Sequence, residues 1–120
     1  MNSLKPHHRL DAWRHAMALV TVVYDITRQF PKQEVYALTS QIRRAAVAVP
    51  SNIAEGAGRS GQREFVQFLS IARGSLSELE TQLLIAINLG YMDTQQQAFE
   101  LLERVSRLIT GLHKKLSADR

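Results

Sequence analysis

The chain has 120 residues, 45% of them hydrophobic and 22% charged, with a formal charge of +4 and no cysteine. This length is near the usual size of one compact domain, and the balanced composition describes a single folded unit, neither disordered nor fibrous. The missing thiols exclude disulfides, Fe–S clusters, thiolate zinc sites and a cysteine nucleophile, and make the cytoplasm the expected compartment.

Residues 1–10 read as a flexible amino-terminal tail without the apolar stretch of a secretory signal, ahead of a single domain over residues 11–117. The uncharged runs 45–54 and 81–92 fall far short of the roughly 20 apolar residues that cross a bilayer, so no membrane partner is expected. Residues 1–60 hold 8 Lys/Arg against 4 Asp/Glu, whereas residues 61–120 hold 7 of each. The whole positive excess therefore lies in the first half, where it favours a polyanionic partner.

Prolines at 6, 31 and 50 and glycines clustered at 56–61, with others at 74, 90 and 111, cut the chain into four long segments with helical period. The first is predicted over Asp11 to Phe30, with Asp11 as N-cap, Trp13, Ala16, Val20, Val23 and Phe30 on one stripe, and Pro31 as its stop. The second starts near Gln33 and carries Val35, Leu38, Ile42, Ala45, Val49 and Ile53 at steps of three and four. Pro50 leaves the Ala46 carbonyl without its usual donor, which predicts one kinked helix whose freed groups are met by Ser51 or Asn52. Left-handed glycine at Gly56-Ala57-Gly58 is expected to close it.

A third helix follows the Arg59-Ser60-Gly61 turn and runs to about Leu89, with Phe65, Leu69, Ala72, Leu76, Leu79, Leu83 and Ala86 facing inward. Gly74 inside it predicts a close helix contact. Gly90 ends this helix, and Asp93 with Gln96 in the capping-box position opens a fourth, striped by Ala98, Leu101, Val105, Leu108, Leu112 and Leu116.

Four amphipathic helices with short connections predict an all-α, antiparallel up-down-up-down four-helix bundle. Apolar residues left off the main stripes, among them Tyr36, Ala46, Val47, Phe68, Ile71, Leu84, Ile85 and Ile87, exceed what so small a bundle covers. Tyr36, Val47, Phe68 and Ile71 are the candidate oligomer interface.

Catalytic and cofactor patterns find little support. His7, His8 and His15 form the sole histidine cluster, and two of them lie in the tail, so no metal is expected. Glu78 and Glu80 diverge on their helix, Glu100 and Glu103 lie beside Arg104 and Arg107, and no serine sits in a strand-turn-helix elbow. Gly56-Ala57-Gly58-Arg59-Ser60-Gly61 is glycine-rich and precedes a helix, yet it lacks the strand and the Gly-Lys-Ser/Thr ending of a phosphate loop. Neither catalytic residues nor a cofactor are assigned, and the chain reads as non-enzymatic. Arg43 and Arg44, about 100° apart on a helix, divide between pairing with Glu55, Glu78 or Glu80 and facing a phosphate.

The segments Phe30-Pro31, Glu34, Tyr36, Leu38-Thr39-Ser40-Gln41-Ile42-Arg43-Arg44-Ala45-Ala46, Val49-Pro50-Ser51-Asn52-Ile53-Ala54-Glu55-Gly56, Phe68-Leu69-Ser70-Ile71-Ala72-Arg73-Gly74-Ser75-Leu76, Glu78-Leu79-Glu80-Thr81-Gln82-Leu83 and Leu89-Gly90-Tyr91 form a long combined pattern. Over about residues 10–112 it resembles the four-helix-bundle proteins of the 23S ribosomal RNA intervening-sequence family. The resemblance implies an antiparallel bundle that assembles into a ring-like homopentamer without known catalytic activity. The accessory variability determinant proteins of diversity-generating retroelements are a related branch, basic pentamers that bind nucleic acid and a reverse transcriptase. The chain is more similar to the first branch, so the retroelement role is not carried across. Ala37 and Ala48 stand where the pattern has glycine and serine.

Two function classes follow. A nucleic-acid-binding oligomer, on RNA or DNA, would use Arg14, Arg43, Arg44, Arg59 and Arg63, and five copies of the chain would carry a formal +20. A protein-interaction scaffold would use the same assembly to dock another protein and treat those arginines as structural.

Overall fold

The computed structural model describes residues 5–118. A 3-10 turn at Pro6–Arg9 leads into α1 (Asp11–Thr27), and a second at Lys32–Glu34 precedes α2 (Leu38–Ala57), α3 (Gln62–Asn88) and α4 (Gln96–Ala118). Among the described residues there is no strand, and no helix is long and apolar enough to cross a membrane.

Each helix packs on its chain neighbours and α4 returns to α1, which closes a four-membered bundle. Side-chain ties fix the antiparallel sense. Arg43, early in α2, reaches Thr27 at the end of α1, and Gln62 at the start of α3 donates to the Leu116 carbonyl near the end of α4. The molecule measures 45 × 34 × 23 Å.

The stripes expected of α2 and α3 build the core, where Ile42, Ile53, Leu69 and Leu83 are fully buried, each contributing roughly 1.5–3 kcal/mol by removal from water. Leu19 on α1 and Leu102 and Ile109 on α4, all off the expected stripes, are buried as well, while Leu101, Leu108, Leu112 and Leu116 are only partly buried against the core. Ala46, expected off the stripe, is 1% exposed and belongs to this core. On α1 the buried line is Ala12, Ala16, Leu19 and Val23, and Trp13 and Val20 flank it.

The helix ends differ from expectation for local reasons. Asp11 is the first residue of α1 and Leu10 the N-cap. The helix stops at Thr27 because Phe30 precedes a proline, which disfavours helical backbone there; Phe30 folds back into the core beside Tyr91, ring centres 5.6 Å apart. The start of α2 is deferred to Leu38, whose N–H donates to the Glu34 carboxylate at 3.2 Å, and Val35 is left outside the seam and exposed. A carboxylate at a helix N-terminus also suits the helix dipole. In α4 the first residue is Gln96, and the Gln95 carbonyl accepts from Phe99 N–H, so Asp93 lies upstream in the loop and does not cap it.

Within α2 the chain stays helical through the buried Pro50. Asn52 Nδ2 donates to the Ala48 carbonyl at 2.8 Å and not to that of Ala46. Gly58 ends the helix in right-handed conformation, φ −84°, and the left-handed glycine is Gly90, φ +78°, after α3. The close helix contact lies at Gly56, not Gly74. A Cβ on Gly56 would stand 2.8 Å from Phe68 Cβ and 2.9 Å from Phe65 Cδ1, whereas one on Gly74 would meet nothing within 4 Å.

The first four residues of the expected tail lie outside the described residues. Pro6–Arg9, placed in that tail, instead make the 3-10 turn, with the His7 and His8 rings 4.9 and 5.2 Å from the Trp13 ring.

Candidate nucleic-acid interface

Antiparallel packing brings sequence-distant cations together. One end of the bundle is formed by the Pro6–Arg9 turn, the start of α1, the α2–α3 turn and the end of α4. A surface hollow lined by Leu10 and Ala12 on one side and Leu112 and Lys115 on the other joins α1 to α4 there. Within residues 5–14, 55–64 and 112–118 stand seven Lys/Arg (Lys5, Arg9, Arg14, Arg59, Arg63, Lys114 and Lys115) against the carboxylates of Asp11, Glu55 and Glu64. The opposite end, residues 25–36 and 88–96, holds Arg28 and Lys32 against Asp25, Glu34 and Asp93. The bundle is electrically polar along its axis.

The five predicted arginines therefore fall into two groups. Arg14, Arg59 and Arg63 share the basic end. Arg43 and Arg44 lie about 22 Å away along α2, at about 1.5 Å per residue over the intervening turns. Arg14 pairs with Asp11 and donates to the His8 carbonyl at 2.8 Å, fastening the 3-10 turn to α1. Arg59 bonds Glu55 at 2.8 Å, approaches Glu64 at 3.8 Å and lies over the Phe68 ring at 5.0 Å. Two carboxylates beside the glycine-rich turn oppose a phosphate there. Arg63, exposed on the first turn of α3, makes no ion pair among the described residues, and neither do Lys114 and Lys115.

Arg43 and Arg44 differ as their adjacency predicts, but neither pairs with the expected carboxylates. Arg43 is half-buried; its Nε donates to Thr27 Oγ1 at 2.8 Å and its guanidinium lies 4.4 Å from the centre of the Tyr24 ring. Arg44 is exposed and lines a hollow with Gln41, Ala48 and Glu78, without an ion pair within 4 Å.

The histidines are engaged in packing. His15 Nε2 accepts from Arg104 Nε at 3.0 Å, so the proton sits on Nδ1, 2.9 Å from the Asp11 carbonyl. His113 Nε2 lies 3.1 Å from Ser70 Oγ. Among the described residues no group of three or more His, Asp or Glu could hold a metal. At the opposite end the Tyr91 hydroxyl donates to Glu34 Oε2 at 2.7 Å, and that bond, aided by burial, holds the phenol above its usual pKa.

Of the four candidate interface residues, Tyr36, Val47 and Ile71 are exposed, at 94%, 40% and 50%. Phe68 is not: it is half-buried, its Cβ abutting Gly56 at the tight α2–α3 crossing and its ring lying under Arg59. A second, exposed line on α3 joins Ile71, Gly74, Glu78, Thr81 and Ile85 at steps of three and four. Periodicity alone missed Lys114 and Lys115, which sit in the charge-neutral half of the chain; their place at the end of α4, opposite the start of α1, is the signal that antiparallel topology supplies.

Fold and surface together define a helical-bundle protein with one basic end. The chain belongs to the 23S rRNA-intervening sequence protein family, whose profile matches residues 8–113. Comparison with curated proteins finds no significant match.

Proposed function

We propose that this protein is a non-enzymatic, self-associating cytoplasmic bundle, a homopentamer as its family resemblance implies, that binds RNA or DNA phosphates through its basic end. The observation that supports binding is the gathering of Arg63, Lys114 and Lys115, none paired with a carboxylate among the described residues, beside Arg9, Arg14 and Arg59. Such a surface recognises phosphate charge and not base sequence. Arg44 contributes from the flank, and Arg43, tied to α1 at the other end, takes no part in this surface.

Self-association is supported by the exposed α3 line. Ile71, 50% exposed, lies one turn before Gly74, Ile85, 42% exposed, lies about three turns after it on the same line, and an unhindered glycine in mid-helix gives up helix propensity that a close neighbour could use. The same line supports a second reading, a scaffold that docks another protein without nucleic acid.

Fluorescence anisotropy with duplex DNA and structured RNA at about 50 mM salt separates the two, since phosphate binding is strongest at low ionic strength. Binding that is lost in Arg63→Glu/Lys114→Glu supports the nucleic-acid reading. Absence of binding by the wild-type chain overturns it and leaves the scaffold.

A further inference from the structure

A hollow of about 410 Å³ opens where the end of α1, the Lys32–Glu34 turn and the start of α2 meet, far from the basic end. Three cations line it: Arg28, Lys32 and Arg43. Among the described residues no carboxylate lines it; Asp25 pairs with Arg28 at 2.7 Å, and the Glu34 carboxylate, on the bounding turn, is engaged by Leu38 N–H and the Tyr91 hydroxyl. Phe30, Pro31 and Val35 supply an apolar wall. Thr39 completes the lining, and its hydroxyl, in a residue only 5% exposed, has no hydrogen-bond partner.

We propose that this hollow binds a nucleotide, its phosphate held by Lys32, Arg43 and Arg28 and its base laid on the Phe30, Pro31 and Val35 wall. The volume lies within the range of small-molecule sites. Arg43 is already fixed by Thr27 Oγ1 and the Tyr24 ring, so its remaining N–H groups are pre-oriented and little side-chain freedom is lost on binding. The Thr39 hydroxyl, without a hydrogen-bond partner among the described residues, retains a donor for a phosphate oxygen. The combination of a cation cluster with an apolar wall separates this site from the basic end, which offers charge alone. The proposal stands independently of nucleic-acid binding there.

Isothermal titration of the intact protein with adenosine monophosphate, adenosine and inorganic phosphate tests it. Adenosine monophosphate is expected to bind at least tenfold more tightly than either fragment. Lys32→Glu is expected to weaken it tenfold or more, and Thr39→Val several-fold, with the thermal midpoint of Thr39→Val unchanged or raised because the lost hydroxyl had no partner. No heat with adenosine monophosphate, equal affinity for inorganic phosphate, or binding indifferent to both substitutions would overturn the proposal. The source of the phosphate is resolved by a single-stranded oligonucleotide. Competition with adenosine monophosphate that survives Arg63→Glu/Lys114→Glu assigns the site to a strand, and its absence assigns it to the free nucleotide.

Discussion

Arg43 and Arg44 are adjacent in sequence and unlike in role. Arg43 links α2 to α1 through Thr27 Oγ1 and the Tyr24 ring, whereas Arg44 has no ion pair and stands in solvent. Arg43→Ala should lower stability by about 1–2 kcal/mol, the scale of one hydrogen bond and one cation–π contact. Arg44→Ala should change it by less than about 0.5 kcal/mol, as exposed substitutions usually do. Urea melts of the two variants read the difference. Tyr91 makes a second residue-scale prediction. Its bond to Glu34 needs the protonated phenol, and its pKa is raised. The stabilisation is therefore complete below the ordinary tyrosine pKa of about 10 and is lost as pH rises through the higher folded value. Absorbance titration of the three tyrosines should show one late-ionising phenol that vanishes in Tyr91→Phe, with the alkaline loss of stability reduced.

At the scale of elements, two glycines in helices have opposite meanings. Gly56 lets α2 approach α3 where Phe65 and Phe68 fill the contact, so Gly56→Ala should cost about 1–3 kcal/mol by overpacking. Gly74 faces open space within the protomer, and Gly74→Ala should raise helix stability by up to about 1 kcal/mol. Gly74→Arg should keep the helical circular dichroism while reducing the light-scattering mass toward the 13.5 kDa of one chain. A variant that retained the wild-type assembly would remove α3's exposed line from the interface. The first and fourth helices show why ends are harder to read than interiors. Their 3.6-residue spacing is legible, but the buried line is turned by one residue, to Leu19 on α1 and to Leu102 and Ile109 on α4; Phe30 leaves α1 to satisfy a proline and a core contact, and α4 begins after Asp93 and not at it.

For the whole molecule the decisive property is the axial division of charge. A chain of +4 is modestly basic, yet folding concentrates cations at one end and leaves the other, where Arg28, Lys32 and Arg43 stand against Asp25, Glu34 and Asp93, nearly balanced. Binding to duplex DNA through that end should weaken with salt along a log–log slope of about −0.9 per phosphate neutralised. Removing Arg63 and Lys114 should make the slope shallower by about 2 per protomer engaged, whereas Glu100→Gln/Glu103→Gln, on a remote stretch of α4, should leave it nearly unchanged. Anisotropy titrations across a salt series measure both.

The amino-acid sequence by itself determined the four helices, the inward stripes of α2 and α3, the single helix through Pro50 and the antiparallel topology, while the exact buried line of α1 and α4 was set by packing. Apolar spacing and short glycine or proline breaks are local signals, and few folds bury four such stripes at once. The resemblance was equally legible, since it rests on residue identity over most of the chain. Tertiary structure alone decided which arginines are free. Arg43 finds its partner 16 residues away on α1, Arg59 is surrounded by Glu55 and Glu64, and Arg63 is joined by lysines some 50 residues further along the chain. The hollow between Lys32, Arg43 and Thr39 was equally invisible, because it exists only where three segments meet. Periodicity fixes which face of a helix is buried, while charge acts through space, and the distances between charges are set only when the helices pack.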